Sequence, residues 1–265
     1  MGVHRRFGGY ELGDVLGEGA LGVVYRARSA DGSVVALKIL RPALADDDVY
    51  RRRFAREARV ARSVRNRHLV AIVDAGEAQG RPYVAAQYVA GGSLAERLVR
   101  DGPLPPETLV RVVVHVAAGL DALHRAGLVH RDVKPENVML EPTGDAALTD
   151  FGLAKGPAYT VLTRPGETPG TLDYLAPELI RGAEADAASD VYALGCLAYA
   201  CATGAPPFAG LDLFDVGAAH IGHTPEPPPL PRDLAWALLQ ALSKDPAARP
   251  PTAAVYGHLL RTALG

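Results

Sequence analysis

The sequence has few cysteines, no marked excess of charge and no uninterrupted apolar run of membrane-spanning length. Its two cysteines, Cys196 and Cys201, are too few for a disulfide framework and are not spaced as a CxxC pair, which favours burial as reduced thiols. Lys and Arg number 28 against 30 Asp and Glu. The resulting net charge of −2 gives no global basic field for nucleic acid or for a membrane surface.

Targeting signals are also missing. No apolar core follows the first residues, as a secretory signal peptide requires, and Arg6 breaks the myristoylation pattern that Met1-Gly2 opens. The longest uncharged run, residues 191–211, is interrupted by Gly204, Pro206 and Pro207, which leaves a helix shorter than the roughly twenty residues of a bilayer span. We therefore expect a cytoplasmic segment that makes no membrane contact itself.

The composition that remains is 48% apolar and 22% charged, which is typical of a globular protein. Short segments rich in Val, Tyr and Ile, separated by turn signals such as Asp31-Gly32 and Gln79-Gly80, predict strands in the first ninety residues. The predicted strands are 12–16, 22–27, 34–40, 69–75 and 83–89, with one helix at about 46–64.

After Gly91-Gly92 the pattern predicts helices. Ser93 is the expected N-cap of one, Pro105-Pro106 begins another, and two more are predicted at 190–203 and 233–242. The change of texture near residue 90 predicts two lobes, a small one built on a sheet and a larger one built from helices.

The segment Gly17-Glu18-Gly19-Ala20-Leu21-Gly22 fits the pattern GxGxxG. By itself this pattern is weak, because surface turns also produce it. A dinucleotide-binding fold needs a helix after the third glycine, but Val23-Val24-Tyr25 predicts a strand. The glycines therefore belong to a strand–turn–strand hairpin, whose backbone N–H groups can approach a phosphate without interference from Cβ atoms.

Lys38 lies in the predicted strand 34–40, on the same face as Val34 and Ala36 because strand side chains alternate. A lysine in this setting is commonly an edge residue whose amine reaches solvent. The other interpretation is a point charge for phosphate.

The helix at 46–64 bears on that choice. Its apolar stripe, Phe54, Ala58 and Ala61, includes Glu57, and a carboxylate on a buried face needs a partner, for which Lys38 is the natural candidate. Arg52, Arg56 and Arg59 occupy the opposite face. A solvated helix face explains them better than a nucleic-acid contact.

The most specific segment is His130-Arg131-Asp132-Val133-Lys134-Pro135-Glu136-Asn137. Asp132 can accept a proton from a hydroxyl, Lys134 can neutralise a moving phosphoryl group, and Asn137 can bind a metal through its amide oxygen. Asp150-Phe151-Gly152 follows an apolar, strand-like stretch and adds a carboxylate suited to Mg²⁺, which typically takes one or two protein carboxylates together with substrate phosphates.

Taken in order, these segments resemble the protein kinase catalytic domain. The resemblance runs from about Tyr10 to Leu260 and includes Val35-Ala36-Leu37-Lys38 and Ala176-Pro177-Glu178. Residues 190–195 resemble the start of the buried F helix of that family, and Arg249 resembles the arginine that pairs with the glutamate of Ala-Pro-Glu, here Glu178.

The acceptor and the subfamily also follow from resemblance. Lys134 and Gly170-Thr171 are similar to the serine/threonine pattern of the family, and Tyr10-Glu11-Leu12 is similar to bacterial receptor-type serine/threonine kinases. The implied fold is α+β and two-lobed, with a small antiparallel sheet and one key helix in the N-lobe (10–89) and a larger, mainly helical C-lobe (90–262). Residues 1–265 are then a single catalytic domain.

The resemblance implies a role for each matching position. Asp132, Lys134, Asn137, Lys38 and Glu57 would form the catalytic set, and Asn137 and Asp150 would bind Mg²⁺ or Mn²⁺. ATP would be the phosphate donor. Its expected contacts are Leu16, Gly17, Glu18, Gly19, Ala20, Leu21, Gly22, Val23, Val24, Ala36, Lys38, Gln87, Val89, Ser93 and Met139.

Regulation is implied in the same way. The segment from Asp150 to Glu178 would be the activation loop, with Thr160, Thr163 and Thr168 as expected sites of autophosphorylation. Arg131, together with Arg53 and Lys155, would receive the phosphate through charge-assisted hydrogen bonds.

The expected partners are proteins with Ser or Thr acceptors and a second copy of the chain for autophosphorylation in trans; no nucleic-acid partner is expected. The segment is also compatible with the intracellular part of a longer membrane-anchored kinase. Two alternatives stay open at this point. One is a pseudokinase that scaffolds on the same fold, which the complete catalytic set disfavours. The other is a small-molecule kinase, which typically lacks this glycine loop and the Ala-Pro-Glu segment.

Overall fold

A computed structural model describes residues 5–19, 21–42, 48–150 and 169–265. Contacts within the chain define two compact units. The first unit is Met1–Arg65 with Val70–Val89, and the second is Asn66–Leu69 with Ala90–Gly265. The main division therefore follows Val89. The four residues Asn66–Leu69 are an exception, because they precede Val89 in the sequence but belong to the second unit.

A six-stranded antiparallel sheet forms most of the first unit, in the order β1-β2-β3-β4-β6-β5. The strands are β1 (Arg6–Phe7), β2 (Tyr10–Gly19), β3 (Gly22–Arg28), β4 (Val34–Leu40), β5 (Ile72–Ala78) and β6 (Arg81–Gln87). On β4 the buried side chains are Val35, Leu37, Ile39 and Leu40, each at most 2% exposed. The predicted alternation is confirmed over 34–39, since Val34, Ala36 and Lys38 form the other, less buried face, and it ends at the buried Leu40.

The predicted strand 69–75 is displaced by three residues from the observed β5, Ile72–Ala78. Leu69, at the expected start of the strand, instead forms a bridge with Leu148 in the second unit. At the other end, Gln79 and Gly80 both have positive φ, of 51° and 70°. This two-residue turn connects β5 directly to β6, so β5 extends as far as Ala78.

In the described residues, this sheet is accompanied by the helix α1 (Asp48–Ser63). Its buried side chains are Phe54, Ala58 and Ala61, each at most 3% exposed, as the apolar stripe predicts. The side chains of Arg52, Arg56 and Arg59 are exposed. The predicted division of this helix into an apolar and a basic face is therefore confirmed.

The second unit is mainly helical. Its α-helices are α2 (Leu94–Asp101), α3 (Pro106–Arg125), α4 (Pro177–Ile180), α5 (Ala187–Thr203), α6 (Leu213–Gly222), α7 (Arg232–Leu239) and α8 (Ala253–Leu264). Ser93 caps α2 as predicted, and it forms a capping box with Glu96. The predicted helix 233–242 is observed as α7 followed by a 3₁₀ turn, Gln240–Leu242.

Helix α5 is the centre of this unit, since nearly every side chain from Ser189 to Ala202 is buried. Its sequence is apolar all round, which is typical of a helix surrounded by protein. Cys196 and Cys201 lie on it as buried free thiols, as expected. In the described part of the chain no helix is both long and apolar enough to cross a bilayer.

A two-stranded antiparallel sheet, β7 (Val138–Leu140) and β8 (Ala146–Leu148), carries the segments of greatest functional interest. β7 begins directly after Asn137, and β8 ends two residues before Asp150. The pairing of Val138 with Leu148 therefore brings the two predicted metal-binding segments next to each other.

Candidate active site

The loop that contains His130, Arg131 and Asp132 is held by a buried carboxylate. Asp190, in the first turn of α5, is 1% exposed. Its two oxygens accept hydrogen bonds from the backbone N–H of His130 at 2.8 Å and of Arg131 at 2.9 Å. His124 Nε2 donates to the same carboxylate at 2.8 Å. Three donors thus compensate for the burial of this charge.

Arg131 needs this support because its φ is 65°, in the left-handed region that non-glycine residues seldom adopt. Asp150 has φ of 63° and is in the same situation. Strained backbone of this kind concentrates at functional sites, where surrounding contacts hold it. Both positions fall in segments that the sequence singles out for chemistry.

His130 joins the two segments. Its Nδ1 accepts from the backbone N–H of Asp132 at 3.2 Å, and its Nε2 lies 3.0 Å from the carbonyl oxygen of Thr149. A carbonyl can only accept, so Nε2 carries the proton and the ring is neutral. Complete burial lowers the pKa of His130 below its usual value, against the opposing effect of the Asp190 and Asp132 carboxylates. His130 is therefore a fixed neutral link between Asp132 and the residue before Asp150.

The Asp132 carboxylate is held from both sides. Lys134 Nζ lies 3.4 Å from Oδ1, and Asn137 Nδ2 donates to Oδ2 at 3.0 Å and to the Asp132 carbonyl at 2.7 Å. The 3₁₀ turn Pro135–Asn137 makes this possible by returning the chain onto Asp132. The structure thus brings together three predicted catalytic residues around one carboxylate.

Asn137 and Asp150 fit a hard divalent cation. Both N–H groups of the Asn137 amide are directed at Asp132, so its amide oxygen is the atom left for another partner. The Thr149 N–H donates to the Asn137 carbonyl at 2.8 Å, which fixes Asp150 one residue further on. A carboxylate with an amide oxygen is a donor set of the kind that Mg²⁺ takes when phosphates supply other ligands.

In the first unit, the three predicted glycines differ in their surroundings. Added Cβ atoms at Gly17 and Gly19 would meet nothing within 4 Å, whereas one at Gly22 would overlap the Ile39 carbonyl oxygen. The third glycine is therefore explained by close packing of β3 on β4. Only the first two leave space that a phosphate could use.

Arg41 holds the tip of this hairpin, and the sequence did not indicate it. Its Nη2 lies 3.1 Å from Glu18 Oε1, its Nε donates to the Gly19 carbonyl at 3.2 Å, and its backbone N–H donates to the Leu21 carbonyl at 3.0 Å. Ala20 lies outside the described residues. The glycine turn is thus fastened to the end of β4 on both sides of that position.

Strand register brings further predicted nucleotide contacts together. Val24 on β3 pairs with Gly17 on β2 and with Lys38 on β4, and Ala36 pairs with Ala86 on β6. Directly opposed residues share a face of the sheet. Val23 continues the same strand and pairs with Glu18, while Leu16 is 46% exposed.

The pairing of Lys38 with Glu57 stays a prediction. The Glu57 side chain is 16% exposed, and Arg53 Nε lies 3.9 Å from its Oε1 on the same helix. The predicted hinge contact at Gln87 meets one constraint, since the Gln87 N–H already donates to the Ala71 carbonyl at 2.9 Å. A nucleotide contact through that N–H has to replace this bond. Val89 is the last residue of the first unit.

Ser93 and Met139, predicted to contact ribose and adenine, are neighbours in the second unit, where they form an isolated antiparallel bridge. The Ser93 hydroxyl also accepts from the Glu96 N–H at 3.2 Å as the cap of α2. The predicted phosphorylation sites Thr160, Thr163 and Thr168, with Phe151, Gly152 and Lys155, lie outside the described residues.

The predicted pair of Glu178 and Arg249 is confirmed. Arg249 Nη1 and Nη2 each lie 2.7 Å from a Glu178 oxygen, and the Arg249 side chain is fully buried. The residues that the sequence interpretation missed are Asp190, His124 and Arg41. The sequence does contain a signal for Asp190, because a carboxylate in an otherwise apolar, buried helix needs a hydrogen-bond or charge partner.

Comparisons with known proteins agree with this geometry. The profile described as "Protein kinase domain" matches residues 10–259. Serine/threonine-protein kinase PknB of Mycobacterium leprae is 40% identical over 256 residues, which cover 92% of this chain and 41% of that protein. Serine/threonine-protein kinase PknE of Mycobacterium tuberculosis is 40% identical over 250 residues, covering 92% and 44%. The chain thus spans about two fifths of the length of these curated relatives.

A solved structure supports the fold. The crystal structure of the Mycobacterium tuberculosis PknI kinase domain superimposes with a TM-score of 0.77 at 32% identity, covering 99% of each chain. The expected kinase fold, with an antiparallel sheet unit and a helical unit, is confirmed by this match. Because the family profile spans nearly the whole sequence and the named relatives are serine/threonine kinases, this chain belongs to the protein kinase domain family.

Proposed function

We propose that this chain is a serine/threonine protein kinase domain that transfers the γ-phosphate of ATP to Ser or Thr hydroxyls of proteins. The observation that carries the proposal is the Asp132 carboxylate, held between Lys134 Nζ at 3.4 Å and Asn137 Nδ2 at 3.0 Å. Family membership supports the use of ATP and a divalent metal by this site. The domain is proposed to occupy residues 1–265, with 10–89 as its N-lobe and 90–262 as its C-lobe.

Asp132 acts as the group that orients the acceptor hydroxyl and takes its proton. Lys134 lies beside the same carboxylate, where its ammonium can neutralise charge on the phosphoryl group in transit. His130 and Asp190 hold the loop without touching the reactants. Phosphoryl transfer depends chiefly on position and charge, so a rigid loop is what this chemistry requires.

Asn137 and Asp150 are the proposed ligands of Mg²⁺ or Mn²⁺. A bound divalent cation would neutralise phosphate charge during transfer. The amide oxygen of Asn137 and the carboxylate of Asp150 come from segments joined by the Thr149–Asn137 bond, so a shift in one moves the other.

The first unit contributes the proposed nucleotide contacts. Backbone N–H groups near Gly17 and Gly19 cover the phosphates, and Lys38 holds the α- and β-phosphates while Glu57 orients it. Val24, Ala36 and Met139 are proposed contacts of the base. The remaining proposed contacts are Leu16, Glu18, Ala20, Leu21, Gly22, Val23, Gln87, Val89 and Ser93.

Radiolabelled ATP with Mg²⁺ or Mn²⁺ and a protein substrate tests the proposal directly. The wild-type chain is expected to transfer label to Ser and Thr, and Asp132→Asn is expected to lose roughly 10²–10⁴-fold in rate while still binding ATP, because a general base is lost. Asp101→Asn, on the exposed end of α2, is the matched control and should keep the wild-type rate. Equal rates for wild type and Asp132→Asn would contradict the role of Asp132, and a wild type without transfer would favour a scaffolding protein.

Autophosphorylation is proposed on the activation loop, at Thr163 or Thr168, with Thr160 as a further candidate. Peptide mapping of the same reactions checks this, and phosphate found only outside residues 155–171 would contradict it. A rate per molecule that rises with protein concentration would support reaction in trans between two copies. The named relatives are more than twice as long as the matched segment, so attachment to a membrane anchor is likewise a proposal.

A further inference from the structure

A four-residue segment, Asn66–Leu69, is built into the second unit next to the strand that leads to Asp150. The Leu148 N–H on β8 donates to the His68 carbonyl at 2.9 Å, and Asn66 Nδ2 donates to the Ala118 carbonyl of α3 at 3.1 Å. Gly119 permits this approach, since a Cβ there would lie 2.7 Å from the His68 carbonyl oxygen. The segment is therefore fitted between α3 and β8.

Two histidines meet at this place. His68 of the segment is 8% exposed, and the side chain of His115 on α3 is 15% exposed. Their rings are stacked, with centroids 4.0 Å apart and planes inclined by 17°. Two imidazoles in face contact cannot both carry a positive charge at low cost, because like charges at this separation repel strongly away from water.

Both rings bind the backbone of one residue, Ala146, the first of β8. His68 Nδ1 lies 3.0 Å from the Ala146 carbonyl oxygen, and the Ala146 N–H donates to His115 Nδ1 at 3.2 Å. A carbonyl only accepts and an amide N–H only donates, so the His68 Nδ1 carries a proton and the His115 Nδ1 does not. Ala146 is completely buried, so no solvent replaces either bond when it is lost.

The position of Ala146 matters because β8 is short. It pairs with Leu140 on β7, three residues after Asn137, and the chain reaches Asp150 four residues after Ala146. A change in the pairing of Ala146 with Leu140 would therefore shift the positions of both proposed metal ligands, Asn137 and Asp150. Neither histidine contacts those ligands.

The charged groups around His115 oppose its protonation on balance. Burial lowers the pKa of His115 most, followed by His68, and Arg67 and Arg111 act in the same direction. Asp145, whose Oδ1 lies 3.8 Å from His115 Nδ1, acts against them. However, Asp145 is itself engaged by Arg67 at 2.5 Å, which weakens its pull on a second cation.

We propose that His115 and His68 are positioning residues that fix the start of β8, and that protonation of His115 releases Ala146 and weakens metal use by the kinase. This inference rests on the proposed function. A proton on His115 Nδ1 would face the Ala146 N–H, so one buried hydrogen bond is replaced by two opposed donors. Because the pKa of His115 is lowered in the folded protein, the ring is neutral and the bond is intact at pH 6.5 and above, and the bond is lost only as pH falls through that lowered pKa.

Hydrogen exchange of the Ala146 amide, measured from pH 7.5 down to pH 4.5 and expressed as a protection factor, tests the first half without any activity. Wild type is expected to lose protection several-fold over this range. His115→Asn places an amide oxygen near the former Nδ1, which accepts but does not titrate, so its protection should stay constant. His258→Asn, at an exposed histidine, is the matched control and should behave as wild type.

The variant His68→Leu distinguishes an electrostatic effect of His68 on His115 from a role in packing alone. It removes the stacked ring that opposes the charge, so the NMR titration midpoint of His115 is expected to rise. A purely structural role for His68 would not move that midpoint. An unchanged midpoint, or equal loss of Ala146 protection in wild type and His115→Asn, would overturn the proposal.

Kinetics test the second half. The apparent KM for Mg²⁺ is measured at pH 7.5 and at the lowest pH at which wild type still transfers phosphate. The ratio of the two values for wild type is compared with that of His115→Asn, because ATP phosphates titrate in this range for both proteins. A larger ratio for wild type, with kcat at pH 7.5 similar in the two, supports the proposal. Equal ratios overturn the link to metal use. If wild type transfers no phosphate at pH 7.5, the proposed function fails, and with it this link, while Ala146 exchange still decides whether the histidines hold the strand.

Discussion

At the scale of single residues, the glycines of the first hairpin show how one motif contains two kinds of requirement. Gly17 and Gly19 have open space where a side chain would start, and Gly22 has the Ile39 carbonyl there instead. Leu40 Cα is also within 3.0 Å of a Cβ at position 22. Both neighbours are backbone atoms, which cannot move aside as a flexible side chain does. The motif thus combines two open positions with one position that strand packing restricts.

Gly22→Ala is therefore expected to destabilise the protein whether or not nucleotide is present. The added methyl group has to displace β4, and overpacking of this kind costs about 1–3 kcal/mol. The melting temperature of the nucleotide-free protein should fall clearly. Gly17→Ala and Gly19→Ala should leave it nearly unchanged and instead weaken ATP binding, measured by calorimetry. The reverse pattern would show that the glycines had been assigned to the wrong roles.

Residue identity alone did not reveal the polar partners that hold the catalytic loop. Asp190 is 60 residues from His130 and 66 from His124, and their bonds depend on how α3 and α5 pack. Asp132, Asn137 and Asp150 stand out in the sequence because each belongs to a short motif of chemically suited residues, and their roles stay predictions. The supporting residues have no local pattern of that kind, since burial in the folded chain is what gives them their roles.

At the scale of elements, the spacing of apolar residues predicted the helices and strands whose burial follows that spacing. Helix α1 and strand β4 are examples, since their apolar spacing matches their burial. Strand β5 begins later than predicted because Leu69 instead bridges to Leu148 of β8, and both residues belong to the second unit. The apolar stretch before Asp150 was predicted to be strand-like and is observed as β8. Its partner β7 was not predicted, since a three-residue strand is too short to display alternation.

Arg249 connects elements that are distant in the sequence. It donates to the Glu178 carboxylate of α4 twice, to the Ala188 carbonyl of α5, and to the carbonyls of Ser243 and Lys244. These acceptors occupy every direction in which a guanidinium can donate. The guanidinium also lies 4.9 Å from the ring centroid of Tyr192.

Arg249→Lys is expected to destabilise the second unit strongly, although the charge is kept. A lysine has three donors on one nitrogen and cannot form the bidentate pair, so Glu178 and several carbonyls lose their partners. Disrupting a buried ion pair typically costs about 3–5 kcal/mol. Urea unfolding measures the loss, with Arg261→Lys on the exposed face of α8 as the control. A loss no larger than that of the control would mean that charge alone suffices at this position.

At the scale of the whole molecule, neutral buried histidines set the response of the second unit to acid. His220 is completely buried, and the Tyr192 hydroxyl, which accepts from Lys244 Nζ at 3.2 Å, donates to its Nδ1 at 2.8 Å. Burial and then the Lys244 charge lower the pKa of His220 to about 3. His115 and His130 have pKa values lowered by the same first cause. In the unfolded chain all three would bind protons near pH 6.5.

The free energy of unfolding should therefore fall as pH decreases below 6.5, and His220 should account for one proton of that dependence down to about pH 3. His220→Asn retains an acceptor for Tyr192 but does not titrate. Its slope should be shallower than that of wild type by about 1.4 kcal/mol per pH unit.

Urea unfolding between pH 7 and 4.5, followed by circular dichroism and by the fluorescence of Trp236, the one tryptophan, measures both slopes. His223→Asn, at an exposed position, should match wild type. Because a slope is compared, a general loss of stability in the variant leaves the test intact. Equal slopes for wild type and His220→Asn would mean that His220 is protonated in the folded protein and that the acid response arises elsewhere.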